Sequence, residues 1–164
     1  MDRKIKLIIG LGNPGPEYKN TYHSVGFLFI DFLEDLELPR RSADSNLRSL
    51  KSGVYMNESG RFVKKILKKY GLRPEDVLIA HDDSDLIVGK YKLSFDRGGA
   101  GHKGVESVIR HLGTERFWRL RIGVRPYTVR REKAERFVLK KISKENQEKM
   151  VGAIQDAIKE MGIL

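Results

Sequence analysis

Four groups of residues in this chain have types and spacing suited to chemistry. The first is a glycine-rich loop, Gly10-Leu11-Gly12-Asn13-Pro14-Gly15, which follows a short apolar segment and matches the G-x-G-x-x-G pattern of dinucleotide sites. Such sites need a helix that begins within the glycines, so that its amides face a pyrophosphate. Here Pro14 and Pro16 remove two of those amides, the next helical pattern starts only near Val25, and no acidic residue closes a second strand. A nucleotide-binding oxidoreductase is therefore a poor fit. The second group, Asp82, Asp83 and Asp85, suggests a cation site but lacks the Gly and distal Glu of a calcium loop. The third is the histidines. Taken singly, His23 at a loop–helix boundary reads as a capping or surface residue, and His81, His102 and His111 read as structural or solvent-facing. The fourth is a pair of amides: Asn13 reads as a turn former in its Gly-Pro loop, and Asn57 as a cap for a helix starting near Ser59.

Order along the chain changes the weighing. The first loop runs from Gly10 to Gly26 as Gly-Leu-Gly-Asn-Pro-Gly-Pro-Glu-Tyr-Lys-Asn-Thr-Tyr-His-Ser-Val-Gly. Tyr55-Met56-Asn57-Glu58-Ser59-Gly60, His81-Asp82-Asp83-Ser84-Asp85-Leu86 and Gly101-His102-Lys103-Gly104 follow it, and then Phe117-Trp118-Arg119-Leu120-Arg121-Ile122-Gly123-Val124-Arg125-Pro126. In this order the motifs resemble the bacterial-type peptidyl-tRNA hydrolase family across most of the chain.

The resemblance implies metal-free, cofactor-free hydrolysis of the ester between a peptide and the 3′ ribose of tRNA. It places the catalytic histidine at His23 and its partnering acid at Asp82. Substrate-binding asparagines fall on Asn13 and Asn57, with Tyr18 and Lys103 as further substrate contacts; Tyr18 and Trp118 are otherwise packing residues. Lys92, Arg119 and Arg121 would contact the acceptor stem. The chemistry is coherent: a neutral His deprotonates water for attack on an activated acyl group, and a carboxylate on the other ring nitrogen fixes the tautomer. Amide donors hold the carbonyl or the developing oxyanion.

The pattern is departed from in three places. Ser24 and Lys103 stand where the family has asparagines, and a cation at Lys103 is expected to lower the pKa of His23 or to pair with Asp82. The third is length: the chain is a single domain, 1–164, read as shortened around 39–54 and at the C-terminus. These departures frame an alternative, a catalytically weakened relative acting as an RNA-binding protein.

The elements that must position these residues follow from periodicity. Lys4 to Ile9 reads as a buried strand, and Phe27, Ile30, Leu33 and Leu36 as a helix stopped by Pro39. Arg40 to Lys51 reads as loop. A helix from Ser59-Gly60 ends at Gly71, and Val77 to Ala80 forms a short strand into His81-Asp82. Tyr91 to Phe95 alternates as a strand, Val105 to Leu112 is a short helix, Leu120 to Val124 alternates with arginines, and a last helix starts near Ser143. Alternating strands and helices predict an α/β domain with a twisted, mixed, largely parallel central sheet flanked by helices.

Bulk composition agrees. Lys and Arg number 32 against 22 Asp and Glu, a net charge of +10 that points to a polyanionic partner. There is no cysteine, hence neither disulfides nor thiolate chemistry. No apolar run reaches the ~18 to 20 residues of a membrane span. The chain is expected to be cytoplasmic and monomeric, without a membrane partner.

Overall fold

The computed structural model describes residues 5–36, 47–128 and 132–163. The order is β1 (Leu7–Gly10), α1 (Val25–Asp35), β2 (Arg48–Lys51), α2 (Ser59–Tyr70), β3 (Val77–Ile87), β4 (Tyr91–Phe95), α3 (Lys103–Leu112), β5 (Trp118–Arg125) and α4 (Lys144–Glu160). One five-stranded sheet runs β2-β1-β3-β5-β4, parallel except for β4, which pairs antiparallel with β5. The α/β class and mixed sheet match the expectation from periodicity.

Strand alternation builds two cores. Ile8, Leu78, Ala80, Leu120, Ile122 and Val124 face α1 and α4, where Phe29, Ile30, Met150 and Ile154 close over them. Leu7, Ile9, Val77 and Ile79 face α2 and α3, packing on Val63, Leu67, Val105 and Val108. β1 leads through α1 to β2 on one side, whereas β3 leads on to β4 and β5 on the other, so the chain leaves these two adjacent strands in opposite directions. The carboxyl ends of these two adjacent strands form the switch point at which open α/β sheets hold their ligands.

A close backbone approach seals this point. A Cβ on Gly26 would lie 2.3 Å from the Leu11 carbonyl oxygen and 2.5 Å from that of Ala80. Only a glycine lets the first turn of α1 rest on Leu11, just past β1, and on Ala80 of β3.

The elements differ from the sequence reading in four places. Arg48–Lys51, expected to be loop, is a strand: it pairs in parallel with Leu7–Gly10, its mostly polar composition fitting a sheet edge. The preceding 39–46 stretch lies outside the described residues. The first strand spans Leu7 to Gly10, one residue further than expected; Lys6 just before it donates to the Asp76 carbonyl at 2.9 Å and accepts from the Arg48 N–H at 3.0 Å, and Lys4 lies outside the described residues. The third strand continues past Ala80 to Ile87, because His81, Asp82 and Asp83 go on pairing with Arg121, Ile122 and Gly123 despite their polar side chains. In α1 the buried stripe is Val25, Phe29, Ile30 and Leu33, while Phe27 is only half-buried and Leu36 is exposed. Among the described residues no helix is long and apolar enough to cross a membrane.

Candidate active site

The loop after β1 and the middle of β3 bring His23 and Asp82 together. Asp82 is buried midway along β3, just past the last residue paired with β1, and its Oδ2 accepts from His23 Nδ1 at 2.8 Å. The backbone of His23 is fixed independently, its N–H donating to the Val138 carbonyl at 2.7 Å. The flanking segments are zipped together through Tyr22 N–H to Lys140 O and Ile142 N–H to Asn20 O.

The other Asp82 oxygen is also taken. His102 Nε2 donates to Asp82 Oδ1 at 2.6 Å, while its Nδ1 accepts from the Val105 N–H at 3.2 Å and caps α3. Because Nδ1 accepts, Nε2 is the nitrogen that carries the hydrogen donated to Asp82. His81, buried beneath, donates from Nδ1 to the Asp82 carbonyl at 2.7 Å and packs edge-on against His102. Taken singly His102 reads as structural or solvent-facing; it is half-buried rather than solvent-facing, lines the cleft and holds the carboxylate. Its place in the Gly101–Gly104 motif was visible; its bond to a residue twenty positions earlier was not.

These contacts set the electrostatics. Burial alone would raise the Asp82 pKa, but the two histidines and their hydrogen bonds hold it well below the usual carboxylate range. Burial disfavours the charged form of His23, yet the Asp82 charge and hydrogen bond outweigh it, so its pKa lies above 6.5. Lys103 pulls in the opposite direction and does not reverse the sign. Nor does Lys103 capture Asp82, whose oxygens are already bonded to His23 and His102. Burial, reinforced by His102 and Arg119, keeps His81 neutral.

A cleft of about 1340 Å³ opens over this array, lined among others by Asn13, His23, Asn57, Asp82, His102 and Lys103. The Asn13 Oδ1 accepts from the Met56 N–H at 2.9 Å, leaving its NH2 as a donor. Asn57 is exposed on the rim and caps nothing: the residue flanking α2 is Glu58, and no side-chain cap bond forms there. Ser24 is buried against Thr21 and does not line the cleft. Tyr18 stands outside it, edge-to-face with Tyr55, which does line it.

The arginines of β5 divide. Arg121 is half-buried in the cleft wall and donates from Nε to Asp83 Oδ2 at 2.7 Å. Arg119 lines the same wall but is only 3% exposed, and burial with neighbouring Arg121 and Arg97 depresses its pKa. Lys92, beside Arg121 in the β4–β5 register, is exposed outside the cleft. Asp83 also accepts from the Asp85 N–H, so the weak cation cluster of the sequence is spent on local bonds. The donor atoms that do converge belong to His23, Asp82 and His102, within 4.8 Å of one another, and they are engaged in hydrogen bonds between themselves.

The sequence profile of the family described as "Peptidyl-tRNA hydrolase" matches residues 7–164. The chain belongs to the peptidyl-tRNA hydrolase family. A peptidyl-tRNA hydrolase from Aquifex aeolicus is 38% identical, covering 94% of this chain and 87% of its own. One from Cupriavidus necator is 36% identical, covering 98% and 91%. The crystal structure of peptidyl-tRNA hydrolase from Acinetobacter baumannii superposes with a TM-score of 0.84 at 35% identity, covering 99% of this chain and 89% of that one. As a peptidyl-tRNA hydrolase family member, the chain keeps His23 and Asp82 within bonding distance. Its departure at Ser24 is tucked into the protein, and only the one at Lys103 faces the cleft.

Proposed function

We propose that this protein hydrolyses the ester between the peptide and the 3′ ribose of peptidyl-tRNA, releasing free tRNA for reuse in translation. The observation that carries the mechanism is the Nδ1–H bond from His23 to a carboxylate that a second histidine holds from its other side. With Nδ1 protonated, Nε2 is the basic nitrogen. It takes a proton from water as the water oxygen attacks the ester carbonyl carbon. Asp82 stabilises the imidazolium, a contribution of roughly 10² to 10⁴-fold for a positioned base. The carbonyl oxygen, becoming an oxyanion, accepts from the NH2 groups of Asn13 and Asn57 and from the Lys103 ammonium. The tetrahedral intermediate then expels the ribose 3′ oxygen, which recovers the proton from His23.

Arg121 and Lys92 suit the acceptor stem, and buried Arg119 suits a phosphate that enters the cleft. Tyr18 acts through Tyr55 at the rim. The chain, 1–164, works as one domain in the cytoplasm, as a monomer, with no cofactor and no membrane partner. The three-residue array counts against the binding-only alternative, because Asp82 remains committed to His23. The test is release of the blocked amino acid from an N-blocked aminoacyl-tRNA by the purified protein. Binding of tRNA without release above the buffer rate contradicts the proposal.

A further inference from the structure

Half of the chain's net +10 sits on one helix. From Ser59 to Tyr70, α2 carries Arg61, Lys64, Lys65, Lys68 and Lys69 and no acidic residue. All five are exposed, and they recur at the i, i+3, i+4, i+7, i+8 spacing of a single helix face, opposite buried Val63 and Leu67. Like charges so spaced oppose helix formation; Lys68 and Lys69 in the last turn suit the helix dipole, but it disfavours Arg61 in the first turn and offers nothing to Lys64 and Lys65 between them. None of the five forms an ion pair among the described residues; Lys69 approaches only the Tyr70 ring. Local stability therefore does not explain the stripe.

Its position supplies a reason. α2 begins directly after Tyr55, Met56, Asn57 and Glu58, which form one rim of the cleft. From Arg61 the stripe runs outward to Lys69 for about 12 Å at ~1.5 Å per residue. We infer that the exposed face of α2 is a second docking surface for the RNA backbone of the substrate, engaging the part that leaves the cleft over this rim. The inference rests on the proposed reading that the substrate is a tRNA ester. An anionic membrane is the poorer partner, because an interfacial helix needs apolar residues beside its cations, and those of α2 are packed against α3 and the sheet.

The test is the variant Lys64→Gln/Lys65→Gln/Lys68→Gln, which keeps good helix formers on an exposed face. Affinity for deacylated tRNA is measured against salt concentration, alongside co-sedimentation with phosphatidylserine vesicles. The variant should bind tRNA more weakly, with a log–log slope shallower by about 2 to 3, corresponding to three lost phosphate contacts. Turnover of full-length N-blocked aminoacyl-tRNA should show a raised KM and an unchanged kcat. A short N-blocked aminoacyl-CCA oligonucleotide, which lacks the acceptor stem and the rest of the tRNA, should be hydrolysed equally by both proteins. Unchanged tRNA slope and affinity would overturn the inference, as would an equal loss on the short substrate, or a loss confined to vesicle binding. The binding measurement needs no turnover, so an inactive wild type would sink the proposed reaction while leaving the α2 surface to be judged by its slope.

Discussion

His102 donates from Nε2 to Asp82 Oδ1 at 2.6 Å while its other nitrogen caps α3, so one side chain ties the orienting carboxylate to the start of a helix. The carboxylate cannot rotate away from His23 without breaking this bond. His102 thus makes two separable contributions, one to the geometry of the acid and one to the stability of α3.

The two contributions can be separated by substitution. His102→Ala should lower kcat with little change in KM and cost about 1 kcal/mol of stability through the lost cap. His102→Asn restores a capping side chain but not the reach to Asp82, so its melting temperature should recover while kcat stays low. Recovery of both by His102→Asn would show that only the cap matters.

The pH dependence follows from His23. Its pKa lies above 6.5, and only its neutral form accepts a proton, so kcat/KM should rise with pH and level off above that value. In Asp82→Asn the raising charge is gone and burial prevails; the limb should move to lower pH and the plateau fall on the order of 10² to 10⁴-fold. For stability the signs differ. The raised pKa of His23 contributes fully below 6.5 and is lost as pH rises through the folded value. The depressed pKa of Asp82 contributes above 3.8 and is lost as pH falls. The melting-temperature gap between wild type and Asp82→Asn should therefore widen as pH falls through the His23 range and shrink only below 3.8, as Asp82 protonates.

Lys103 tunes the same group. Its charge opposes the Asp82 effect on His23, so Lys103→Asn should shift the kcat/KM limb to higher pH. Lys103→Met, which removes the donor as well, should lower kcat on the order of 10² to 10³-fold. A pH limb unmoved by Lys103→Asn would mean that the ammonium does not act on His23.

Gly26 is where packing decides function. Gly26→Ala places a methyl against the Leu11 and Ala80 carbonyls, which must then separate. About 1 to 3 kcal/mol of stability should be lost, with kcat falling because His23 and Asp82 sit on the two sides of that contact. A melting temperature equal to wild type would refute this account of the switch point.

Much of this was legible beforehand, for reasons visible in particular residues. Val77 to Ala80 announced a buried strand, Gly71 ended α2 where the left-handed turn falls, and the last helix starts at its cap Ser143. His23, Asp82, Asn13 and Asn57 were reached through motif order, and all four line one cleft. β2 escaped because a short, mostly polar edge strand has no periodicity of its own; its partner β1 defines it. His102 escaped because its role is a long-range bond, and a histidine at a helix cap looks alike with or without one. The burial of Arg119 escaped because alternation predicts which face a side chain takes, not what covers that face.

The central claim is that His23, oriented by Asp82, is the base for ester hydrolysis. The direct measurement is release of the blocked amino acid from an N-blocked aminoacyl-tRNA by wild type and His23→Ala, with tRNA affinity measured on both. Wild type should turn over, and His23→Ala should bind tRNA equally well while losing roughly 10² to 10⁴-fold in kcat. Turnover unchanged in His23→Ala would contradict the mechanism, and tRNA binding by wild type without turnover would contradict the activity itself.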